Sequence, residues 1–183
     1  MTAQATETLI YKGEKLRLCA EPLAGYFELK EIEAPFRAPH TALWRGYVGT
    51  WEIVDDRLYL VDLMGWAKSS GKVGLDFLFS GCSTRVFAHW ASGLLRATQG
   101  KRIRYVHAGF GSIYEHDLLL HCDNGVLKSV AIRNNYLEEP TALPCRIFEL
   151  SAEEPAALRE AGSDQYSGAG EGIVRRGFFD TYH

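Results

Sequence analysis

The sequence predicts an all-β, or strongly β-dominated, fold in which an antiparallel meander curls into a barrel-like or sandwich form, with one short C-terminal helix. Two observations predict it. Apolar residues alternate with polar ones over short runs, and turns rich in glycine, asparagine and aspartate separate these runs. We assign residues 1–150 to a single antiparallel β domain, 151–162 to the helix, and 163–183 to a flexible linker and an apolar tail.

Turn residues predict two hairpins in the first third of the chain. Gly13 lies between two apolar runs and can take the positive φ that closes a tight turn. Asp55-Asp56 ends the run 47–54 in the same way, because aspartate tolerates the left-handed region better than most residues. The resulting register places Trp51 opposite Leu60 on one face of the sheet.

The longest predicted sheet segment covers residues 86–134 and contains most of the histidines of the chain. Its strands are expected at 86–98, 101–108, 113–123 and 126–134, joined by turns at Gln99-Gly100, 109–111 and Asn124-Gly125. Because it gathers so many polar rings, this segment is the first place to look for functional residues.

Two loops interrupt the predicted strands. Residues 31–45 contain Pro35 and Pro39, which argue against a central strand. Residues 65–74 carry lysines beside small residues, but they lack the GxxxxGK[ST] spacing of a phosphate-binding loop. A short helical turn is expected at 75–79.

Composition and charge argue against two classes of partner. The 183-residue chain has a formal net charge of -3 and a pI near 6.1, which gives no general attraction to nucleic acid or to an anionic membrane. No run approaches the ~20 apolar residues that span a bilayer. Residues 1–7 lack the basic and apolar regions of a signal peptide, and the cysteines form no CxxC pair. We therefore expect a cytoplasmic protein with reduced thiols.

Five strings of residues carry a family resemblance. They are Trp44-Arg45-Gly46-Tyr47, Thr50-Trp51-Glu52-Ile53, Leu58-Tyr59-Leu60, Phe87-Ala88-His89-Trp90 with Ser92-Gly93, and Tyr105-Val106-His107 leading to Gly111-Ser112-Ile113-Tyr114-Glu115. Together they resemble a family of uncharacterised bacterial β-rich proteins over residues 8–134. The resemblance implies a compact β-rich bacterial domain, and it supplies no activity and no catalytic residue.

One arrangement of residues would support nucleophilic catalysis. If Gln99-Gly100 is a two-residue turn, Ser92 opposes His107 with Cβ atoms ~5 Å apart. Glu115 or Asp117 on the next strand would then orient the imidazole and complete a Ser–His–acid set. The chain offers no GxSxG elbow and no recognisable oxyanion hole. A structural hydrogen bond is the commoner explanation of such a serine–histidine pair.

The sequence predicts no metal site and no cofactor. Zinc sites bring their ligands at close sequence spacing, and this chain shows no such spacing. Side-chain alternation places His116 and Cys122 on the face opposite His121. The other polar candidates are spread over three predicted strands: His89, His107, Glu115 and Asp117. We interpret these histidines as independent of one another.

Aromatic and basic residues mark the candidate ligand-binding positions. Tryptophan, tyrosine and arginine are the side chains that recognition surfaces and small-molecule pockets favour. The candidates are Trp44, Arg45, His89, Trp90 and Tyr105. The same residue types are typical of a well-packed β core, and we favour a core position for Trp51 and Trp90.

The leading hypothesis is a binding or interaction module without catalysis. It would take a small molecule in the concave sheet, or a protein partner as an immunity or regulatory protein does. The alternative is a hydrolase-like enzyme built on Ser92, His107 and Glu115. A third hypothesis pairs exposed edge strands in a homodimer, because an open sheet has to cover its edges.

Overall fold

Ten strands and one helix account for most of the described chain. The structure, a computed structural model, describes residues 2–82, 84–136 and 146–149, all within a compact unit that spans Met1–Glu149. The strands are β1 Glu7–Tyr11, β2 Glu14–Leu18, β3 Tyr47–Val54, β4 Arg57–Ala67, β5 Gly71–Val73, β6 Val86–Phe87, β7 Gly93–Arg104, β8 Ile113–Asp123, β9 Val126–Asn134 and β10 Arg146–Glu149. The helix α1 covers Ala24–Lys30, and a 3-10 turn covers Leu75–Phe77. The helix and the tail predicted for 151–183 lie outside the described residues.

The sheet closes on itself into a ring of seven strands, which confirms the β-dominated, barrel-like fold class. Around the ring the order is β9-β8-β7-β2-β1-β3-β4, and β4 returns to β9 through the pairing of Arg57 with Val126. The Leu58 N–H supports this closure by donating to the Gly125 carbonyl at 2.8 Å. Strands β5 and β6 pair with β4, and β10 pairs with β9.

One pairing in the otherwise antiparallel ring is parallel, a detail that the predicted antiparallel meander did not include. Strand β1 runs parallel to β3, with Leu9 beside Trp51. Parallel neighbours need a crossover connection, which here passes through β2 and α1. Local turn residues carry no signal for such a long-range pairing.

Three predicted tight turns are confirmed. Positive φ angles between 49° and 79° occur at Lys12, Gly13, Asp55, Asp56, Asn124 and Gly125. Two successive positive φ values are the type I′ geometry, whose twist matches that of the flanking strands. The predicted register follows from the second turn, and Trp51 pairs with Leu60.

The predicted turn at Gln99-Gly100 is wrong, because β7 runs through both residues without reversing. The register of β7 against β8 shifts between Gln99 and Arg102, so the strand bulges there. Gly100 has a φ of 82°, and a Cβ atom on it would clash with Glu115 Oε2. The glycine therefore makes room for a carboxylate on the neighbouring strand.

One strand prediction and one loop prediction are also corrected. Residues 86–98 are not one strand, because β6 ends at Phe87 and pairs with β4, whereas β7 begins at Gly93. Residues 65–74 are not a loop, because β4 extends to Ala67 and β5 folds back on it.

The helix α1 was not predicted from the sequence. Its N-cap is Leu23, which makes no side-chain capping bond, so the usual serine, threonine or aspartate start signal is missing. The helical turn expected at 75–79 is confirmed at Leu75–Phe77. In the part of the chain that the structure describes, no helix is long and apolar enough to cross a membrane.

Inward-facing side chains form a core dominated by leucine. Trp51 is fully buried between its register neighbours Leu9 and Leu60, both also fully buried. Trp90 is buried as well, so the predicted core positions of Trp51 and Trp90 are confirmed.

Candidate functional site

The serine, histidine and carboxylate proposed for catalysis are not brought together. Ser92 and His107 lie beyond opposite ends of β7, a strand of 12 residues that spans ~40 Å when extended. The cross-strand pairing of Ser92 with His107 is therefore wrong, and its cause is the misplaced turn at Gln99-Gly100.

Each of the three residues has a local structural partner. Ser92 Oγ accepts a hydrogen bond of 2.8 Å from the Asn124 N–H, next to the β8–β9 turn. His107 Nδ1 shares a hydrogen bond of 2.8 Å with the Tyr105 hydroxyl. Glu115 accepts bonds of 3.0 Å from the Lys101 N–H and from the Tyr136 hydroxyl. The Lys101 N–H is the main reason why the pKa of Glu115 lies below its ordinary value. An ionised carboxylate with both oxygens occupied suits anchoring rather than proton transfer.

The five candidate ligand-binding residues lie in different environments. Trp90 is a packing residue, whose indole N–H donates to the Pro22 carbonyl at 3.0 Å and whose ring meets His89 edge-on. Trp44 is 58% exposed, and its backbone N–H donates to Gln4. Arg45 is buried in an ion pair, whereas Tyr105 is 53% exposed beside a cleft. The structure does not assemble the five into one binding surface.

Arg45 is the centre of a buried polar network that the sequence did not reveal. Its Nε lies 3.1 Å from Glu7 Oε1, its Nη2 donates to the Ala5 carbonyl at 2.9 Å, and its Nη1 lies 3.6 Å from Glu21 Oε1. The guanidinium also lies 5.9 Å from the centre of the Phe110 ring. The network therefore joins the start of β1 to the segment that follows β7.

Glu7 is fully buried within this network, which changes its acidity. Burial raises the pKa of its carboxyl from 4.5 to about 8, against the opposing effects of Arg45 and of the Trp51 hydrogen bond. Both Glu7 oxygens accept N–H bonds, one from Arg45 and one from Trp51. The pattern Glu7, Leu9, Tyr11 alternates on the inward face of β1, and that alternation was the signal by which the sequence could have identified Glu7 as buried.

A second buried carboxylate lies across β7, β8 and β9. Asp117 on β8 is fully buried between Arg96 on β7 and Arg133 on β9. The nearest Arg96 nitrogen is 3.4 Å from each Asp117 oxygen, and another Arg96 nitrogen donates to the Phe110 carbonyl. Asp117 thus has a structural role that fixes the residues following β7.

A small cleft opens between these two networks. The N-terminal segment forms one wall, where Ala3 pairs with Gly109 and the Gln4 N–H donates to the Gly109 carbonyl at 2.9 Å. The cleft holds about 120 Å³. Residues from three parts of the chain line it, namely the segment 3–6, Cys19, and the stretch from Arg102 to Tyr114. We call it the Tyr105 cleft.

Arginine and tyrosine dominate the chemistry of the Tyr105 cleft. Arg102 is the charged residue among those that line it, and its guanidinium lies 5.0 Å from the centre of the Tyr105 ring. Arg17 lies 5.1 Å from the centre of the ring of Tyr114, another lining residue. Within the described residues neither arginine has a carboxylate partner.

The cleft also contains a free thiol and several hydroxyls. Cys19 lies in the lining, and burial raises the pKa of its thiol, with Arg96 opposing the rise. A thiol with a raised pKa stays neutral at pH 7 and is a weak nucleophile. Thr6, Ser112 and Tyr114 add hydroxyl groups to the lining. Such a set of groups binds by hydrogen bonding and charge.

Sequence reasoning identified one residue of this cleft and missed the others. Tyr105 was a ligand-binding candidate, but Arg102 and Ser112 were not. Their proximity depends on the bulge at Gly100 and on the bridge between Ala3 and Gly109, neither of which leaves a local sequence signal. Among the described residues, no group of three or more histidine, cysteine or acidic side chains is placed to hold a metal ion.

Comparison with known proteins gives no further assignment. No family model, no curated protein and no solved structure matches the chain significantly. The resemblance to a family of bacterial β-rich proteins therefore stays a prediction.

Proposed function

We propose that the chain is a binding module that holds a small molecule in the Tyr105 cleft without transforming it. The observation that carries the proposal is the pairing of Arg102 with Tyr105 at the edge of a concave, donor-rich cleft. Tyrosine and arginine are residues that binding sites use preferentially, because they combine apolar contact with directed polar groups. We rank the hydrolase alternative lower, because Ser92 and His107 lie beyond opposite ends of β7.

We favour a small molecule over a protein partner of the immunity or regulatory type. A concave site of about 120 Å³ suits a group of a few atoms, whereas stable protein interfaces bury roughly 800 Å² on each side. The lining is also anchored from two sides, because Arg45 contacts the Phe110 ring and Arg96 bonds to the Phe110 carbonyl. An anchored lining loses little conformational entropy when a ligand binds.

We place this module in the cytoplasm. Cys19, Cys82 and Cys122 are free thiols, which is the usual state of cysteine in a reducing compartment. The net charge of -3 supports partners other than nucleic acid or an anionic membrane surface.

A homodimer was expected because an open sheet has to cover its edges, and this reason does not apply to a closed ring. Closure of the ring turns most strands into interior neighbours, and β5, an edge strand, has three residues. So short an edge offers few backbone groups to a second copy. Light scattering of the full chain, with the monomer mass expected, tests this point.

A ligand screen by native mass spectrometry tests the binding proposal. The full chain is mixed with small carboxylates, phosphates, amines and neutral sugars, and bound masses are recorded. We expect at least one compound to bind the unaltered protein and to show no binding to the Tyr105→Ala variant. Tyr136→Ala is the matched control, because Tyr136 is also an exposed tyrosine and is not a lining residue. Absence of binding by every compound, or equal loss in both variants, would overturn the proposal.

A further inference from the structure

We propose that the Tyr105 cleft selects small organic anions and that Arg102 holds their carboxylate or phosphate group. This inference names a ligand class and rests on the proposed binding function. The two groups share the chemistry that matters here, because each presents a pair of oxygens that matches the fork of a guanidinium.

The charge around the Tyr105 cleft favours an anionic ligand. Arg102 lines it, Arg17 contacts the Tyr114 ring, and no aspartate or glutamate belongs to the lining. Glu115 follows Tyr114 in sequence, but its carboxylate is bound to the Lys101 N–H and the Tyr136 hydroxyl. The cleft is therefore locally cationic on a protein whose formal net charge is -3.

Arg102 is available to bind such a ligand. Arg45, Arg96 and Arg133 all have carboxylate partners. Arg102 differs from them, since among the described residues it contacts the Tyr105 ring, whose centre lies 5.0 Å away, and no carboxylate. A cation–π contact uses none of the N–H donors of the guanidinium in a hydrogen bond, so these donors can bind an oxyanion.

Hydrogen-bond donors in the lining of the cleft also favour an anion. The Thr6 and Tyr114 hydroxyls line the cleft and have no hydrogen-bond partner among the described residues. Gln4, by contrast, is fully occupied, since its Nε2 donates to Thr2 and Thr41 and its Oε1 accepts from Trp44. The side chains left open to a ligand are therefore hydroxyls and a guanidinium, all of which donate to oxygen.

The size of the cleft suits a small anionic group. At about 120 Å³ it is well above the roughly 10–15 Å³ that a cavity needs to hold one water. A carboxylate or phosphate group with its first attached atoms fits this space, and the remainder of a larger ligand would extend past the exposed Tyr105 ring. Because burial keeps the Cys19 thiol neutral, no second anion competes for Arg102 inside the cleft.

Calorimetric titration with three matched compounds tests the ligand class. The probes are phenyl phosphate, benzoate and neutral benzyl alcohol, each titrated into the full chain at low salt. We expect at least one anion to bind and benzyl alcohol to bind at least about tenfold more weakly. The stronger of the two anions identifies whether phosphate or carboxylate is preferred.

Two arginine variants make the test specific to the cleft. Arg102→Gln should weaken anion binding at least about tenfold, which is the worth of one charge-assisted hydrogen bond. Arg104→Gln removes the same charge two residues further along β7, outside the lining, and should leave the affinity within about twofold. Equal weakening by both variants would mean a diffuse charge effect and would overturn the inference.

The outcomes separate this inference from the proposed function. Binding of benzyl alcohol as tight as that of the anions, abolished by Tyr105→Ala but unaffected by Arg102→Gln, keeps the binding module and rejects the anion. Failure of all three probes, together with a native mass spectrum free of bound ligands, rejects both. Circular dichroism of every variant confirms that the sheet is intact.

Discussion

The indole N–H of Trp51 donates a hydrogen bond to the carboxyl group of Glu7 across the parallel pair β1 and β3. Both side chains are buried, and the other Glu7 oxygen accepts from Arg45. Arg45 also contacts the Phe110 side chain, which lines the Tyr105 cleft. The hydrogen bond between Trp51 and Glu7 is therefore connected through Arg45 to one wall of that cleft. Stability of the domain and shape of the cleft are therefore linked through Glu7.

Gly49→Ala should destabilise the domain. A Cβ atom on Gly49 would lie 2.7 Å from Trp51 Nε1 and 2.8 Å from Glu7 Oε2, so the buried bond has to distort. We expect a loss of about 1–3 kcal/mol in the free energy of unfolding, measured in urea. Gly74→Ala is the control, since its Cβ atom would come no closer than 3.2 Å, to an aspartate side chain. A Gly49→Ala variant as stable as the control would contradict this packing.

The stability of the protein should fall as pH rises from about 4.5 to about 8, because of Glu7. Its pKa is about 8 in the folded state against 4.5 as the ordinary value. Between these two pH values the folded state therefore keeps a proton that the unfolded chain has lost. The stability that Glu7 contributes in this way is complete only at pH values below 4.5. The loss can reach about 1.4 kcal/mol for each pH unit in this window.

Urea unfolding of the unaltered protein and of Glu7→Gln at several pH values checks this dependence. Burial also raises the pKa of Glu21, so the difference between the two proteins is the relevant quantity. We expect Glu7→Gln to show the flatter pH profile. Parallel profiles for Glu7→Gln and the unaltered protein would argue against the raised pKa.

Asp117→Asn should be among the most destabilising single changes. It leaves Arg96 and Arg133 without their shared carboxylate in a largely buried setting. Removal of one partner from a buried ion pair costs about 3–5 kcal/mol. Thermal or urea unfolding measures the loss, and Asp123→Asn on an exposed position of the same strand should change stability by less than about 0.5 kcal/mol. Similar losses for both would show that the buried network contributes little.

Ser92 and His107 should contribute to stability independently. Ser92→Ala removes the bond to the Asn124 N–H and should cost about 1 kcal/mol. Because the two residues lie beyond opposite ends of β7, the double variant with His107→Ala should show additive losses within about 0.5 kcal/mol. A coupling energy above about 1 kcal/mol would instead indicate direct contact and revive the Ser–His pair.

The sequence allowed prediction of those hairpins whose turns are closed by local backbone chemistry. Lys12-Gly13 and Asn124-Gly125 adopt the positive φ angles that their residue types favour, and the register of each hairpin follows from its turn. Gly100 also has positive φ, yet it lies at a bulge and makes room for Glu115. The two uses of glycine look the same in sequence, because the neighbour that distinguishes them belongs to another strand.

The candidate site was less predictable than the fold for a related reason. Tyr105 could be identified by residue type alone. Arg102 becomes a cleft residue only because β7 continues through the bulge and the Ala3–Gly109 bridge places the N-terminal segment opposite it. The closure of β4 on β9 and the parallel pair of β1 with β3 likewise depend on contacts between distant parts of the chain.

Mapping of ligand contacts by backbone amide chemical shifts locates the bound anion most directly. Phenyl phosphate is titrated into the ¹⁵N-labelled full chain, and the shift of each assigned amide is followed. We expect the largest changes in residues 3–6 and 102–114, and we expect these changes to disappear in the Arg102→Gln variant. Largest changes around Ser92 and Asn124, or changes of equal size throughout the sheet, would contradict a binding site in the Tyr105 cleft.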